Sequence, residues 1–219
     1  MGVKNTELFD TAHTMAAPLF FKYDHPWEIL SEIKNFILLA GERLGEDYIK
    51  RGDDVWIHKT AKVMPSAAIF GPCIIGPNTE VRHCAFIRGS ALVGADCVVG
   101  NSTELKNVIL FDHVQVPHYN YVGDSILGYY SHMGAGSITS NVKSDKTNVV
   151  VKDGENLYAT GLKKMGAILG DHVEVGCGSV LNPGTVIGPD TNIYPLSSVR
   201  GVIPAGSIYK KQGEIANKR

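Results

Sequence analysis

The chain has 219 residues, of which 44% are hydrophobic and 20% are charged, and its formal net charge is -1. This composition is that of a folded protein, and the small net charge argues against a general binder of nucleic acid or of an anionic membrane. The sequence has no apolar run approaching the roughly 18 residues of a membrane span, and we interpret its first residues as lacking a signal peptide.

The first predicted element is helical. Apolar residues recur at helical spacing from Ile29 to Leu44, and Pro26 suits the first turn of a helix. The pattern predicts an amphipathic helix over about 26–46, inside an N-terminal helical segment over 1–54. We expect its apolar stripe to cover the first coil of the following domain and to protect the strand edges there.

A six-residue repeat dominates the rest of the chain. Apolar residues fall at steps of six from Ile57 to Leu105, and the repeat resumes from Leu169 to Val199. Hexads of this type predict a parallel β-helix, in which each hexad is one short strand plus a bend and three hexads make a coil of about 18 residues. Glycines at the second hexad position, such as Gly94, are expected to ease the bends.

The repeat is interrupted twice. Phe111 and Pro117 stand where aliphatic residues are expected, and the repeat then returns two residues early. Over 139–166 it breaks again, which predicts an extruded loop, and long loops on a rigid scaffold often carry function. We therefore expect an all-β domain over 55–204 and a cap over 205–219.

The chain has four cysteines and no CxxC pair. Cys73 and Cys97 occupy repeat positions that favour a small apolar residue, so we interpret them as reduced core residues of a cytoplasmic protein. The spacing typical of zinc ligands is absent, and no metal site is predicted.

Two cations should stack on neighbouring coils. Arg88 and Lys106 are 18 residues apart, which predicts a separation of roughly 4.8 Å in a β-helix. Stacked cations repel each other unless an anion lies over them. They either pair with Glu80, Glu104 or Asp124, or they form a phosphate site in which the arginine donates to two oxygens.

The densest polar segment runs from Pro117 to Asp124, where the repeat is irregular. His118 is its obvious general base, because histidine changes charge near neutral pH. Asp124 or a backbone carbonyl would orient its second ring nitrogen. The alternative interpretation is an ordinary surface histidine.

Four segments, in order and with matching gaps, carry a family resemblance. They are Arg88-Gly89, Gly100 to Lys106, His118 to Asp124, and Gly134 to Asn141. This run resembles the C-terminal acetyltransferase domain of bifunctional N-acetylglucosamine-1-phosphate uridyltransferase/glucosamine-1-phosphate acetyltransferase, here as a stand-alone pyrophosphorylase-like acyltransferase. The motifs cover about 88–141, and the hexad match extends to about residue 204. A short helical segment stands where that enzyme has its uridyltransferase domain.

The resemblance implies a left-handed parallel β-helix, a homotrimer with active sites between subunits, and acetyl-CoA as co-substrate. It also implies that His118 takes a proton from a sugar amine as the amine attacks a thioester. His132 stands where the family has an asparagine that contacts substrate, and Cys177 where a serine faces the CoA. The implied binding residues are Arg88 and Lys106 for the sugar phosphate, Tyr121, His132 and Asn141 for the sugar, and Ala135 and Cys177 for acetyl-CoA.

Three functions follow from these observations. The first is a CoA-dependent acyltransferase acting on an amino sugar phosphate or a nucleotide-linked amino sugar. The second, suggested by the departures at His132, Cys177 and the loop, is a non-catalytic or regulatory trimer that binds a sugar nucleotide. The third is a metal hydratase like the γ-class carbonic anhydrases, with His113 and His118 as ligands. For that third function His83 is poorly placed, because it lies 30 residues before His113 and not a whole number of coils away.

Overall fold

The computed structural model describes residues 2–218 and contains a parallel β-helix with a helical segment along one side. Each coil contributes strands to three faces, and strands of successive coils pair in parallel. The predicted all-β class, with hexapeptide repeats and an N-terminal α-helical segment, is confirmed. Within the described range, no helix combines the length and apolar character that crossing a bilayer demands.

The three faces are named in the order in which the chain visits them. The first face holds β2 (Val55–His58), β5 (Cys73–Ile75), β8 (Ala91–Val93), the second halves of β10 (Glu104–Leu110) and β12 (Tyr121–Leu127), β17 (Ala167–Leu169), β20 (Thr185–Ile187) and β23 (Val202–Ile203). The second face holds β3 (Lys62–Val63), β6 (Glu80–Val81), β9 (Val98–Asn101), β11 (Gln115–His118), β13 (His132–Met133), β18 (Glu174–Val175), β21 (Asn192–Ile193) and β24 (Ser207–Lys211).

The third face holds β4 (Ala68–Ile69), β7 (Phe86–Ile87), the first halves of β10 and β12, β14 (Ile138–Thr139), β19 (Val180–Leu181) and β22 (Ser198–Val199). Four strands belong to hairpins, namely β1 (Tyr48–Arg51), β15 (Val150–Asp153), β16 (Asn156–Ala159) and β25 (Glu214–Asn217). In these hairpins, β1 pairs antiparallel with β2, β15 with β16, and β25 with β24. The antiparallel partners β1 and β25 thus cover strands at the two ends of the β-helix.

The N-terminal segment is a series of short helices. They are α1 (Asn5–Leu8), a 3-10 helix (Thr11–His13), α2 (Ala17–Lys22), α3 (Pro26–Ile29) and α4 (Ile33–Gly41). The prediction of one helix over 26–46 is wrong, because a turn separates α3 from α4. In that turn the N–H groups of Leu30 and Glu32 bond to carbonyls three residues earlier, so the α-helical hydrogen-bond pattern is interrupted.

The helical segment covers the first face, and not only its first coil as predicted. The middle residue of each first-face triplet points outward and is nevertheless buried, as at Ile74, Leu92, Ile109, Ile126 and Ile168. α4 packs against β5, β8 and β10. Farther along, Phe9 stacks on Phe111 at a ring separation of 5.1 Å. The apolar stripe of the helices is therefore matched by a second apolar stripe on the β-helix.

A buried carboxylate fastens the start of this segment. Asp171 accepts hydrogen bonds from the backbone N–H of Asp10 at 2.6 Å and from that of Tyr129 at 2.8 Å. The N–H of Asp112 donates to the carbonyl of His13 at 3.0 Å. Burial raises the pKa of Asp171, and the two backbone donors oppose that shift. The helical segment is thus joined to coils that lie far along the chain.

Replacing Ile109 with alanine is expected to lower the free energy of unfolding by about 2–5 kcal/mol, because it opens a cavity between the helices and the first face. Urea denaturation would measure this change. Gln115→Ala is the matched control, since Gln115 is exposed on the second face and its loss should cost less than about 0.5 kcal/mol. Equal stability of Ile109→Ala and wild type would contradict tight packing of the segment.

The corners of the coils require left-handed backbone, but the hexad glycines do not supply it. Asn78, Asp96, His113 and Tyr130 are among the residues with positive φ at one corner. A Cβ added to Gly94 would lie 2.5 Å from the Asp112 carboxylate, so glycine there permits close approach of two coils. The prediction that these glycines ease the bends is therefore wrong.

Two cysteines belong to the core, as predicted. Cys73 and Cys97 are buried free thiols. Burial raises the pKa of Cys97 to about 12, so its thiol stays protonated. Cys84 and Cys177 are exposed.

The interruptions of the repeat have two different structural origins. Val108 pairs with Ala91 and with Ser125, so two successive coils have 17 residues each. Ile126 then pairs with Ile168, and residues 140–166 form an inserted segment that contains the β15–β16 hairpin. The shortened coils account for the early return of the hexads.

Candidate functional site

The predicted site residues Lys106, Tyr121 and Asn141 lie along the third face and its corner with the first, together with Asp124, one of the predicted orienting groups. Asp124 follows the bend of β12 and is buried, with 5% of its surface exposed. Both of its carboxylate oxygens lie 3.1 Å from Lys106 Nζ, and one accepts from Asn141 Nδ2 at 2.6 Å. Asn141 Nδ2 also donates to the Tyr121 hydroxyl at 3.1 Å. We call Lys106, Tyr121, Asp124 and Asn141 the acceptor cluster.

The acceptor cluster has a buried anion at its centre. Asn107 Nδ2 also donates to Asp124 Oδ1, at a distance of 3.0 Å. Because a buried carboxylate is stable only when it is paired and hydrogen-bonded, these three side chains hold Asp124 in one orientation. Burial raises the pKa of Tyr121, with Asp124 as the second cause, so its hydroxyl stays protonated. Tyr121 and Asn141 are thus fixed as neutral polar groups at the surface of the third face.

Both stacked cations have carboxylate partners. Leu105 and Ile87 pair in register, which places Arg88 and Lys106 one coil apart as predicted. Arg88 Nη1 donates to Glu104 at 2.6 Å, and Lys106 binds Asp124. The structure therefore contains the carboxylate pairing that the sequence analysis left open. Their predicted contact with a sugar phosphate stays a prediction.

His118 lies at the end of β11, where the second face turns into the third, and it is exposed. Its backbone N–H donates to Asn120 Oδ1 at 3.1 Å, and Asn120 Nδ2 donates to the carbonyl of Gly134 at 2.9 Å. Over residues 2–218 its ring has no hydrogen-bond partner. Asp124, one of the predicted orienting groups, bonds to Lys106, Asn107 and Asn141 instead.

Residues at the position of His118 in successive coils form a column along the β-helix, and small side chains follow His118 in it. Its carbonyl accepts from the N–H of Gly136, and the carbonyl of Ala135 accepts from Gly178, so successive coils are hydrogen-bonded along this corner. Ala135 and Cys177 therefore follow His118 at one and two coils, about 5 and 10 Å away. Both are exposed. The column forms an open strip beside the ring of His118.

His132 is separate from these groups. It begins β13 on the second face, and its Nδ1 lies 2.8 Å from Glu174 Oε2. Ala135 lies three residues later at the corner, so His132 is roughly 10 Å from the His118 column. The structure does not bring His132 to the acceptor cluster. Its contact with substrate stays a prediction.

The histidines proposed for a hydratase are also apart. His113 has positive φ at the corner before β11 and stacks on Tyr130 at 4.4 Å, while His118 is at the opposite end of that strand. Five residue steps along an extended strand separate the two histidines by on the order of 15 Å. Across the residues the structure describes, no three His, Cys, Asp or Glu side chains are grouped as metal ligands.

Asn120 is a structural residue that the sequence analysis missed. It is buried, and its amide joins His118 to the coil that contains Gly134 and Ser137. Thr103 and Ser137 occupy the same position in the neighbouring coils. The sequence did contain a signal for this role, because Asn120 is a longer amide side chain at a position where the neighbouring coils have a small hydroxyl side chain.

Comparisons with known proteins agree with this architecture. A family model described as the GMPPB C-terminal domain matches residues 69–193. A solved hexapeptide transferase family protein from Anaplasma phagocytophilum has 16% identity and a TM-score of 0.50, with 75% of this chain and 79% of that chain covered. That likeness supports the fold.

Curated proteins are similar over most of the chain. Identity is 30% to a bifunctional sugar-1-phosphate nucleotidylyltransferase/acetyltransferase of Sulfurisphaera tokodaii, covering 84% of this chain and 47% of that protein. Identity is 31% to a bifunctional protein GlmU of Methanococcus maripaludis, and the match covers 89% of this chain and 48% of that protein. Identity is 28% to an uncharacterized acetyltransferase YaiX of Escherichia coli, and the match covers 83% of this chain and 81% of that protein. The chain spans about half the length of the first two.

Proposed function

The chain belongs to the family of the GMPPB C-terminal domain, and from this membership we propose that it is an acyltransferase that uses acetyl-CoA and an amino sugar. The resemblance to hexapeptide-repeat acetyltransferases is confirmed by relatives that are named acetyltransferases. The acceptor is an amino sugar phosphate or a nucleotide-linked amino sugar. The assembly is a homotrimer with its sites between subunits.

The observation that carries this proposal is the placement of His118. It adjoins two surfaces of different character, since the strip of Ala135 and Cys177 continues its column over the next two coils and the acceptor cluster follows it along its own coil. Tyr121 is three residues from His118, within roughly 10 Å. An acyl thioester lying along the strip and a sugar lying on the cluster would meet beside the imidazole.

The reaction proceeds by attack of the sugar amine on the thioester carbonyl carbon. A C–N bond forms, and the proton lost by nitrogen passes to the His118 ring. The tetrahedral intermediate then collapses, the C–S bond breaks, and the CoA sulfur leaves with a proton returned by the imidazolium. The products are an N-acyl amino sugar and free CoA. Because the ring of His118 is exposed, both proton transfers are open to it.

Acetyl-CoA supplies the acyl group, and this chain's residues hold its thiol arm. Ala135 and Cys177 leave room for a narrow chain beside the corner, since a larger side chain at either position would cover the strip. Asp124 fixes Asn141, which in turn donates to the Tyr121 hydroxyl, and both Asn141 and Tyr121 can bond to sugar hydroxyls. Such positioning brings the amine and the carbonyl carbon into reacting geometry.

A panel assay tests the proposed activity. The full-length protein is incubated with acetyl-CoA and with amino sugars, free, phosphorylated and nucleotide-linked, and release of CoA thiol is measured together with the N-acetyl product. We expect turnover with at least one phosphorylated member. Failure to bind any acyl-CoA in calorimetry would favour the regulatory sugar-nucleotide-binding trimer.

Alkylation of Cys177 with N-ethylmaleimide is expected to abolish most of the acetyl transfer, because the adduct would fill the strip two coils from His118. The experiment uses a Cys84→Ala background, so that Cys177 is the single exposed thiol among the described residues. The control is the Cys84→Ala/Cys177→Ala double variant, which should stay active and resist the reagent. Full activity of the alkylated protein would contradict the placement of CoA along this strip.

A further inference from the structure

A cavity of about 390 Å³ lies between the inserted segment and the last coils, at the corner of the third and first faces. The inserted segment contributes Lys152 and also Lys143, which is paired with Asp145, and the coils contribute Asn182 and Arg200. Val150 and Pro183 add apolar surface to its walls. None of the proposed catalytic or binding residues lines this cavity, although Ser140, which does, directly precedes Asn141.

The cavity carries positive charge that the protein does not neutralise. Arg200 and Lys152 are exposed, and in the described part of the chain neither makes an ion pair or a side-chain hydrogen bond. No carboxylate is among the described residues that line the cavity. By contrast, Arg88 and Lys106 are paired with Glu104 and Asp124. An anionic ligand would gain more from the unpaired cations than from the paired ones.

The cavity is aligned with the acceptor cluster. Thr139, Leu181 and Val199 pair in register, so the residues that follow them, Ser140, Asn182 and Arg200, are stacked along one edge of the third face. Gly123 and Lys106 belong to the same column, one coil and two coils before Ser140 respectively. Four coil steps of about 4.8 Å make the distance from Lys106 to Arg200 roughly 19 Å.

We propose that this cavity binds the diphosphate of a nucleoside-diphosphate amino sugar, which is the acceptor in the function proposed above. The two unpaired cations, Lys152 and Arg200, match the charge of a diphosphate, and the apolar walls at Val150 and Pro183 suit a nucleoside beside it. The sugar would then extend past Ser140 toward Asn141 and Tyr121. This inference rests on the proposed acyl transfer and selects a nucleotide-linked acceptor over a sugar monophosphate.

Calorimetry on the full-length protein tests the site without turnover, with UDP, inorganic pyrophosphate and CoA as probes. Arg200→Ala and Lys152→Ala should each weaken binding of UDP and pyrophosphate by about tenfold or more, the usual cost of losing one charge-assisted hydrogen bond. Binding of CoA should change less than about twofold. Arg51→Ala is the control, because it removes an exposed arginine of β1 outside the cavity.

Unchanged affinity for UDP and pyrophosphate in both variants would overturn the proposal. A matching loss of CoA affinity would also overturn it, because the cavity would then hold the CoA diphosphate. His118→Asn should keep wild-type affinity for UDP. If no acceptor is acetylated and UDP binding still requires Arg200, the result supports the proposed nucleotide site and contradicts the proposed acyl transfer.

Discussion

Replacing His118 with asparagine is expected to lower kcat for acetyl transfer by about 10²–10⁴-fold, the usual contribution of a positioned general base. Asparagine keeps a polar group at the end of β11 but cannot take the proton from the attacking amine. The ring of His118 makes no hydrogen bond within residues 2–218, so its loss should leave the melting temperature within a few degrees of wild type. Steady-state kinetics and thermal denaturation measure the two effects.

His83→Asn is the matched control for this variant. His83 lies two coils before His118 in the same column, and its Nδ1 bonds to the Ser66 hydroxyl at 2.9 Å. It has no place in the proposed reaction, so its replacement should leave kcat essentially unchanged. Undiminished acetylation by His118→Asn, or an equal loss in both variants, would contradict the assignment of the base.

Replacing Asp124 with asparagine is expected to lower the free energy of unfolding by about 3 kcal/mol, because Lys106 would keep its charge in a partly buried place without a counter-ion. The asparagine tolerates the left-handed backbone at this position, where φ is 49°. Asn141 would also lose its strongest acceptor and release the Tyr121 hydroxyl. We therefore expect a raised KM for the acceptor as well as lower stability in urea.

A double-mutant cycle separates the ion pair from the change in shape. Lys106→Met/Asp124→Asn removes both charges, and its stability should exceed that expected from the two single variants by about 1–3 kcal/mol. A coupling energy near zero would show that Lys106 and Asp124 do not act as a pair. Glu80→Gln is a suitable surface control, since Glu80 pairs with Arg82 on the second face and both are more exposed.

The sequence predicted the scaffold well because the hexad pattern is local and repeats. Ile69, Ile87 and Leu105 form one ladder in the structure, as the six-residue steps imply. The covering of the first face was missed, although its signal is present. Consecutive apolar residues such as Ile74 and Ile75 recur at each first-face strand and mark strands buried on both sides.

Sequence spacing predicted only the part of the site that depends on the repeat. Register along the coils is set by sequence spacing, so the stacking of Arg88 on Lys106 could be inferred. The convergence of Lys106, Asn107 and Asn141 on Asp124 depends on side-chain orientation at a corner, and spacing does not specify that. The cavity beside Arg200 depends on where the inserted segment folds back, which no repeat describes.

The covered first face has a consequence for how the protein folds during synthesis. The helical segment leaves the ribosome before the surface that it covers, and Asp10 bonds to a residue 161 positions later. Until the coil containing Asp171 has formed, the apolar side chains of the helical segment lack their final partners. Contacts of such long sequence separation form slowly. The interval between translation of α1 and translation of β17 is therefore when the nascent chain is most exposed to aggregation and most dependent on chaperones.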